Sequence, residues 1–266
     1  MGNPPVNRKL LEYLADSFVK SGYDFKALCR KIANSAVFQR SCVPPKNIES
    51  AKGAAWNQAE AEKRFAVFPL RRLDAEVLAD ALSLLGGFHP KYMSVIPEPF
   101  TYIPRNSRTV SLADGSITSS FLVTFGRPAR DSGRLLERCN QTTYAQRLFL
   151  LNSPVIHWRV SASPFLKTIF KMAKGKSRRV VDGIYELVLA RPATDSEYAA
   201  IRKNHKDLFA AAPPPPPPRG KKGAKAWRAY KKRKQSYYKN RGRKMWQMAR
   251  SLIWTLVNSK EFLFQH

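Results

Sequence analysis

Prolines divide this chain into stretches that can and cannot form long helices. Between Phe88 and Ser132 they recur at positions 90, 97, 99, 104 and 128. Each proline lacks a backbone donor and clashes with the preceding helical turn, so a long helix is excluded there. The β-branched and aromatic residues from Ile117 to Phe125 favour short strands. The middle of the chain is therefore predicted to be irregular, with one or two short strands.

The stretches on both sides of this segment carry apolar residues three and four residues apart, the spacing of amphipathic helices. Capping signals mark the starts of three predicted helices. Asp24 precedes one, Asp74 precedes the helix that ends at Gly86-Gly87, and Thr194 and Glu197 form a capping box at the third. The predicted fold class is mainly α: a helical domain with a proline-rich irregular middle segment and at most one or two short strands.

For two of the predicted helices, the sequence also predicts which residues are buried. The helix after Thr143 is expected to turn four apolar residues inward, Ala145, Leu148, Phe149 and Leu151. Cys29 lies on an apolar helix face and is expected to be a small core residue. The cysteines at 29, 42 and 139 have spacings that build neither a zinc cluster nor a disulfide framework.

The charge of the chain is strongly positive, with 47 Lys and Arg against 19 Asp and Glu, or +28. About half of the excess lies in one acid-free run, made of Arg219, Lys221, Lys222, Lys225, Arg228, Lys231, Lys232, Arg233, Lys234, Lys239, Arg241, Arg243 and Lys244. Trp227, Tyr230, Tyr237, Tyr238 and Trp246 interleave with it. Such a run is either a solvated insertion or a surface that binds nucleic acid or acidic polysaccharide.

Six prolines, Pro213 to Pro218, come directly before the basic run and are expected to form a stiff polyproline II spacer. The chain is therefore divided into a helical domain over 1–212 with its irregular middle at 88–132, a flexible polyproline and basic insertion over 213–244, and a closing helix over 245–266. The closing helix is expected to begin at Met245 and to pack back on the domain.

Several blocks in this sequence resemble one protein family. They are IPEPF, LADGSI, FGRP-R-SG, ER-N and AQRL-LLN within Val95 to Asn152, and FPLRRLDAEVLADAL, IYELVLARPATDSE and WTLVNSKEFLFQH outside it. Together they resemble the bacterial domain of unknown function 1553, also called planctomycete-specific domain 1. The resemblance implies a non-catalytic or accessory module of a planctomycete-type multidomain protein that acts through protein interaction.

The same resemblance implies partners and a location. In full-length family members the domain follows a sister domain and often a cytochrome c module, so an upstream sister domain or a cytochrome-containing protein is the expected partner. The chain has no signal peptide and no apolar run long enough for a membrane span, although a longer exported member would be extracytoplasmic.

A dense set of polar residues is the main candidate site. It comprises Arg127, Arg130, Asp131, Glu137, Arg138, Asn140 and Gln146, joined in the family pattern by Arg71, Arg72, Asp74 and Glu76. Guanidinium groups bind carboxylates and phosphates with two hydrogen bonds, so the set is compatible with an anion or sugar pocket. The favoured interpretation is instead a structural network of arginines and carboxylates that satisfies irregular backbone. A third hypothesis is a hydrolase or lyase that uses Asp131, Glu137 and the arginines.

Other catalytic signals are missing from the sequence. Histidines 89, 157, 205 and 266 lack metal-ligand spacing, and neither a nucleophile elbow nor a phosphate-binding loop occurs. No cofactor and no metal are therefore expected, and a binding or accessory role is favoured over an enzyme.

Overall fold

The computed structural model describes residues 5–40, 42, 58–103, 105–112, 115–128, 138–139, 141–161, 163–210, 213–216 and 224–265. The helices within them are α1 (Arg8–Lys20), α2 (Phe25–Ala33), α3 (Gln58–Lys63), α4 (Ala75–Gly86), α5 (Ser120–Thr124), α6 (Tyr144–Asn152), α7 (Pro154–Ser161), α8 (Phe165–Ala173), α9 (Ser177–Leu189), α10 (Asp195–Asn204), α11 (Lys206–Ala210), α12 (Ala224–Val257) and α13 (Lys260–Leu263). Two strands have two residues each, β1 (Arg71–Arg72) and β2 (Phe264–Gln265). The mainly α prediction is confirmed.

The chain divides into two compact units, 1–71 with 264–266, and 72–263. In the first unit, α1 and α2 form a hairpin in which Asp24 caps α2 by accepting a hydrogen bond from the Ala27 amide at 3.0 Å. Neither helix contains a buried residue. Cys29 is exposed, so its prediction as a core residue is wrong. Two short helices leave much of their apolar faces uncovered.

The second unit holds the main hydrophobic core. Helix α12 packs on α7 and α9, α8 packs on α9, and α4 packs on α7. Leu78, Val160, Val181, Ile184 and Ile253 are completely buried at the centre. Within a helix the buried residues recur at helical spacing, as Val181, Ile184 and Val188 do in α9, which is why the helices of this unit were predictable.

The irregular middle differs from the sequence prediction in one respect. Met93 and Thr118 form an isolated antiparallel bridge and Thr109–Ser111 form a short 3₁₀ helix. Residues Ser120–Thr124, however, are helical, so the expectation of a strand there is wrong. The Ser119 side chain accepts a hydrogen bond from the Leu122 amide, and Leu122 is completely buried. Capping and burial therefore outweigh the β propensity of these residues.

Helix α12 also differs from the prediction, because it begins at Ala224 and not at Met245. It runs for 34 residues without interruption, so the described part of the basic run is helical. Alanine, lysine and arginine are good helix formers, which explains why the helix continues beyond the core. Met245, towards the C-terminal end, is the first of its described side chains to be buried.

Within the described residues, no helix combines the length and the apolar character that crossing a membrane requires.

Candidate functional site

Glu76 lies in the first turn of α4 at the centre of a cluster of arginines. Its carboxylate accepts hydrogen bonds from Arg138, Nη1 to Oε2 and Nη2 to Oε1, both at 2.7 Å. Nε of Arg127 lies 3.2 Å from Oε1, and Nη1 of Arg127 donates to the Ile117 carbonyl oxygen at 2.7 Å. The side chains of Glu76 and Arg127 are 9% and 7% exposed. Two guanidinium groups therefore enclose one buried carboxylate.

These contacts keep Glu76 ionised. Burial by itself raises the pKa of a carboxyl group, but the hydrogen bonds and charges around Glu76, chiefly those of Arg138, hold its pKa below the ordinary value. The hydrogen bond to Glu76 in turn raises the pKa of Arg138. At neutral pH Glu76 is an anion that accepts hydrogen bonds and cannot serve as a proton donor.

Arg72 adds a third guanidinium group, which contacts backbone carbonyls. Its Nη2 donates to the Phe125 oxygen at 2.6 Å and to the Cys139 oxygen at 3.1 Å, and its guanidinium carbon lies 5.5 Å from the Phe125 ring centroid. Nε and Nη1 are buried and have no hydrogen-bond partner among the described residues. Burial lowers the pKa of Arg72. We call Arg72, Glu76, Arg127 and Arg138 the buried ion cluster.

The backbone beside the buried ion cluster is closely packed at Gly126. The Cys139 amide donates to the Gly126 carbonyl at 3.2 Å. Gly126 has φ +88°, and a Cβ at this position would lie 2.0 Å from the Cys139 carbonyl oxygen. Only glycine fits here, because both the left-handed backbone and the contact exclude a side chain.

Gln146 fixes the adjoining helix α6. With Thr143 it forms a capping box, in which the Gln146 amide donates to the Thr143 hydroxyl and the Thr143 amide donates to Gln146 Oε1 at 3.1 Å. Nε2 of Gln146 also donates to the Thr124 carbonyl oxygen at 3.1 Å. Gln146 is 4% exposed, whereas Leu148 and Leu151 are 56% and 54% exposed. The predicted inward face of α6 is therefore wrong for Ala145, Leu148 and Leu151.

The structure brings together only part of the predicted polar set. The contacts described above are made by four members of the set: Arg72, Arg127, Arg138 and Gln146. Asp74 immediately precedes α4, but its side chain accepts no capping hydrogen bond. Arg71 is exposed and belongs to the first unit. The remaining members lie outside the described residues: Arg130, Asp131, Glu137 and Asn140.

The basic run forms a second candidate site on the N-terminal half of α12, residues 224–244. Its cations within the helix are exposed or half-buried: Lys225, Arg228, Lys231, Lys232, Arg233, Lys234, Lys239, Arg241, Arg243 and Lys244. No acidic residue lies among them. Arg219, Lys221 and Lys222 fall outside the described residues.

Helical spacing places seven of these ten cations on two faces. The first, which we call the cationic stripe, carries Lys225, Arg228, Lys232, Lys239 and Arg243. The second, the mixed face, carries two lysines between two aromatic residues, at steps of four, three and four positions: Trp227, Lys231, Lys234 and Tyr238. Trp227 and Tyr238 are 42% and 51% exposed. The helix therefore presents exposed cations and exposed aromatic rings together.

A basic pocket lies where α12 meets the α10–α11 junction. It has a volume of about 430 Å³, and its lining includes Lys203, His205, Lys206 and Lys244. Asp207 is the one acid in the lining, 3.7 Å from Lys244. This pocket was not predicted from the sequence, although Lys203, His205 and Lys206 lie within four consecutive residues.

A more apolar cleft of about 290 Å³ lies between α4, α5 and α6. Phe88, Phe121 and Phe149 line it, with several hydroxyl groups. Those of Ser119 and Ser153 already accept hydrogen bonds from helix amides. The described residues contain no group of three or more side chains placed to hold a metal ion.

Comparison with known proteins places the chain in a family. No curated protein and no solved structure matches it. Residues 1–204 match the family described as PSD1, protein of unknown function (DUF1553). This range includes the buried ion cluster and ends before the proline run and α12. The chain therefore belongs to the PSD1 family of proteins of unknown function.

Proposed function

We propose that this protein is a non-catalytic binding module that holds single-stranded nucleic acid along residues 224–244 of α12. The observation that carries the proposal is the exposed helical surface on which ten cations and no acid occupy 21 residues. At 1.5 Å per residue this half of the helix is about 30 Å long, so it carries one cation for every ~3 Å. That density is comparable with the spacing of phosphates along a nucleic acid.

The aromatic residues favour nucleic acid over an acidic polysaccharide. On the mixed face, Trp227 and Tyr238 offer exposed rings on which bases stack, and Lys231 and Lys234 lie between them to contact phosphates. A membrane surface is less favourable. The same two lysines interrupt the apolar strip that a helix needs in order to bury one face among lipids.

The test is the salt dependence of binding to single-stranded DNA of about 12 nucleotides, measured by fluorescence anisotropy. Replacing three residues of the cationic stripe with glutamine, R228Q/K232Q/K239Q, should reduce the slope of log K against log salt by roughly 2, since each lost phosphate contact removes about 0.7. The matched control R179Q/K167Q/K171Q removes the same charge from exposed positions on α8 and α9, and should leave the slope nearly unchanged.

The aromatic residues have a separate readout. Trp227→Ala should weaken binding roughly tenfold at every salt concentration without changing the slope, because base stacking does not release counterions. Heparin binding as tight as DNA binding, together with no effect of Trp227→Ala, would point to an acidic polysaccharide. Equal slopes for the stripe variant and its control would contradict the proposal.

A second candidate function is an accessory role through protein interaction, and the exposed face of α6 favours it. Tyr144, Leu148 and Leu151 lie at helical spacing and are 83%, 56% and 54% exposed. Apolar residues arranged in this way on a helix surface are typical of protein contacts. The partner that the family resemblance suggests is the sister domain of full-length members.

Isothermal titration with a recombinant sister domain tests this candidate. Leu148→Ser and Leu151→Ser should abolish binding, whereas the α6 surface variant Arg147→Ser, beside the apolar face, should retain it. Binding that survives both leucine changes, or no binding by the unaltered protein, would remove the candidate.

The hydrolase or lyase hypothesis gains no support from Glu76. Its carboxylate is occupied by Arg138 and Arg127, and its pKa is lowered, so it lacks the proton that a general acid must donate.

A further inference from the structure

The basic pocket beside α12 has the composition of a phosphate site. Lys203, Lys206 and Lys244 supply ammonium groups, and Gln247 and Ser251 add polar groups from α12. Leu208 and Met248 are almost completely buried within the lining. The pocket therefore combines an apolar part with cationic and hydrogen-bonding groups, an arrangement that suits a compact anion with several acceptor oxygens.

The pocket lies at the C-terminal end of the basic run. Lys244 is the last cation of the basic run, and it also lines the pocket. The next residue, Met245, is buried, so the exposed half of α12 ends here against α11. The pocket lies on the side of α12 that also carries Arg233 and Arg241, so a strand that follows these cations to the C-terminal end of the basic run reaches the pocket.

Asp207 reduces the positive charge of this pocket. Its Oδ2 lies 3.7 Å from Nζ of Lys244, and both side chains are largely exposed. An exposed pair at this distance is weak and exchanges readily with a phosphate, which carries more negative charge than a carboxylate. Asp207 thus competes with an incoming anion for Lys244.

We infer that the pocket binds the terminal phosphate of a nucleic-acid strand held along α12. A terminal phosphate has one more ionisable oxygen than an internal phosphodiester, and it is not flanked by nucleotides on both sides. A pocket with several cations at the end of a basic track distinguishes these two groups by charge and shape. The inference rests on the proposed function, because α12 delivers the strand.

The experiment compares four DNA strands by fluorescence anisotropy at one salt concentration. One carries a 5′ phosphate, one carries a 3′ phosphate, one has hydroxyl groups at both ends, and one is a nucleotide longer with hydroxyl ends. The longer strand controls for added charge without a terminal phosphate. A phosphate at one of the two ends should tighten binding roughly tenfold, and the extra nucleotide should have little effect.

Two variants locate the preference. K203Q/K206Q should lose the preference for a terminal phosphate and keep its affinity for hydroxyl-ended strands, because the cationic stripe is intact. Asp207→Asn should strengthen the preference, since it frees Lys244 and removes a negative charge. A gain of this kind cannot come from a damaged fold.

The outcomes separate the inference from the proposed function. Binding of all strands without an end preference overturns the inference alone. No binding of any strand overturns both. Inorganic phosphate is the probe for a free phosphorylated ligand. If it raises the melting temperature of the unaltered protein but not of K203Q/K206Q, and strands show no end preference, the pocket serves a small molecule and the strand-end assignment is wrong.

Discussion

Arg138 and Glu76, which are 62 positions apart in the sequence, form a bidentate ion pair with both N–O distances at 2.7 Å. The pair joins the first turn of α4 to backbone that follows the irregular middle. Arg127 approaches the same carboxylate at 3.2 Å, so one anion holds two separate segments. We therefore expect the buried ion cluster to stabilise the fold.

Glu76→Gln should destabilise the protein by about 3 kcal/mol, because the buried Arg127 and the half-buried Arg138 would lose their shared counterion. Urea unfolding of the free protein measures the change. Asp207→Asn is the matched control, a carboxylate replaced by its amide in the exposed pair with Lys244, and it should cost less than about 0.5 kcal/mol. Equal effects of the two variants would mean that the buried ion cluster contributes little to stability.

Glu197 gives a prediction about pH. The hydrogen bond from Arg191, followed by those from Thr194, lowers the pKa of Glu197 from 4.5 to about 2. The unfolded chain therefore binds the proton first as pH falls, so the stability from Glu197 is complete above pH 4.5 and is lost towards pH 2. Glu197→Gln should be less stable than the unaltered protein at pH 7, and the difference should shrink across that interval.

Urea unfolding at a series of pH values measures this difference. The control is Glu186→Gln on the exposed surface of α9, whose stability should stay within about 0.5 kcal/mol of the unaltered protein at pH 7. A gap for Glu197→Gln that stays constant down to pH 2 would contradict the assignment of the lowered pKa.

Gly126→Ala should cost more than about 2 kcal/mol, because the added Cβ overlaps the Cys139 carbonyl oxygen and the backbone is left-handed. Gly175→Ala is the matched control. Its φ is +77°, close to the +88° of Gly126, but nothing lies within 4 Å of the added Cβ. It should cost only about 1 kcal/mol, the strain of the backbone alone. Thermal unfolding that shows the same loss for both would rule out the overlap.

Gly242 tests the continuity of α12. No atom lies within 4 Å of a Cβ placed there. Gly242→Ala should raise helix content and stabilise the protein by up to about 1 kcal/mol. Gly242→Pro should break the helix at the point where it leaves the core, and should reduce helix content measured by circular dichroism. An unchanged spectrum for the proline variant would show that residues 224–241 are not helical in solution.

Local capping was predictable from the sequence because its partners lie three positions apart. Asp24 and Thr194 cap α2 and α10 as expected, through hydrogen bonds to the amides of Ala27 and Glu197. Such a contact involves only residues within one helical turn, so the local sequence is enough to predict it. The mainly α fold followed from the same local signals together with helical spacing.

The burial of Gln146 and the exposure of Leu148 were not predictable in this way. A rule that places apolar residues inside fails where a polar side chain finds all its partners in the interior, as Gln146 does with Thr124 and Thr143. Thr143 is a local capping-box partner, but Thr124 lies 22 positions away, and sequence spacing does not predict that contact. For the same reason, the family resemblance suggested Glu76 as a neighbour of Arg138, whereas sequence spacing did not.

The length of α12 makes its two halves a single energetic unit. Ten like charges along residues 224–244 repel one another. Because the helix is continuous, this repulsion also destabilises the half that packs on α7 and α9. Anything that neutralises the charges relieves this repulsion and so raises the melting temperature of the whole unit. The melting temperature of the core would then show whether a ligand is bound along residues 224–244, without a probe attached to that part of the helix.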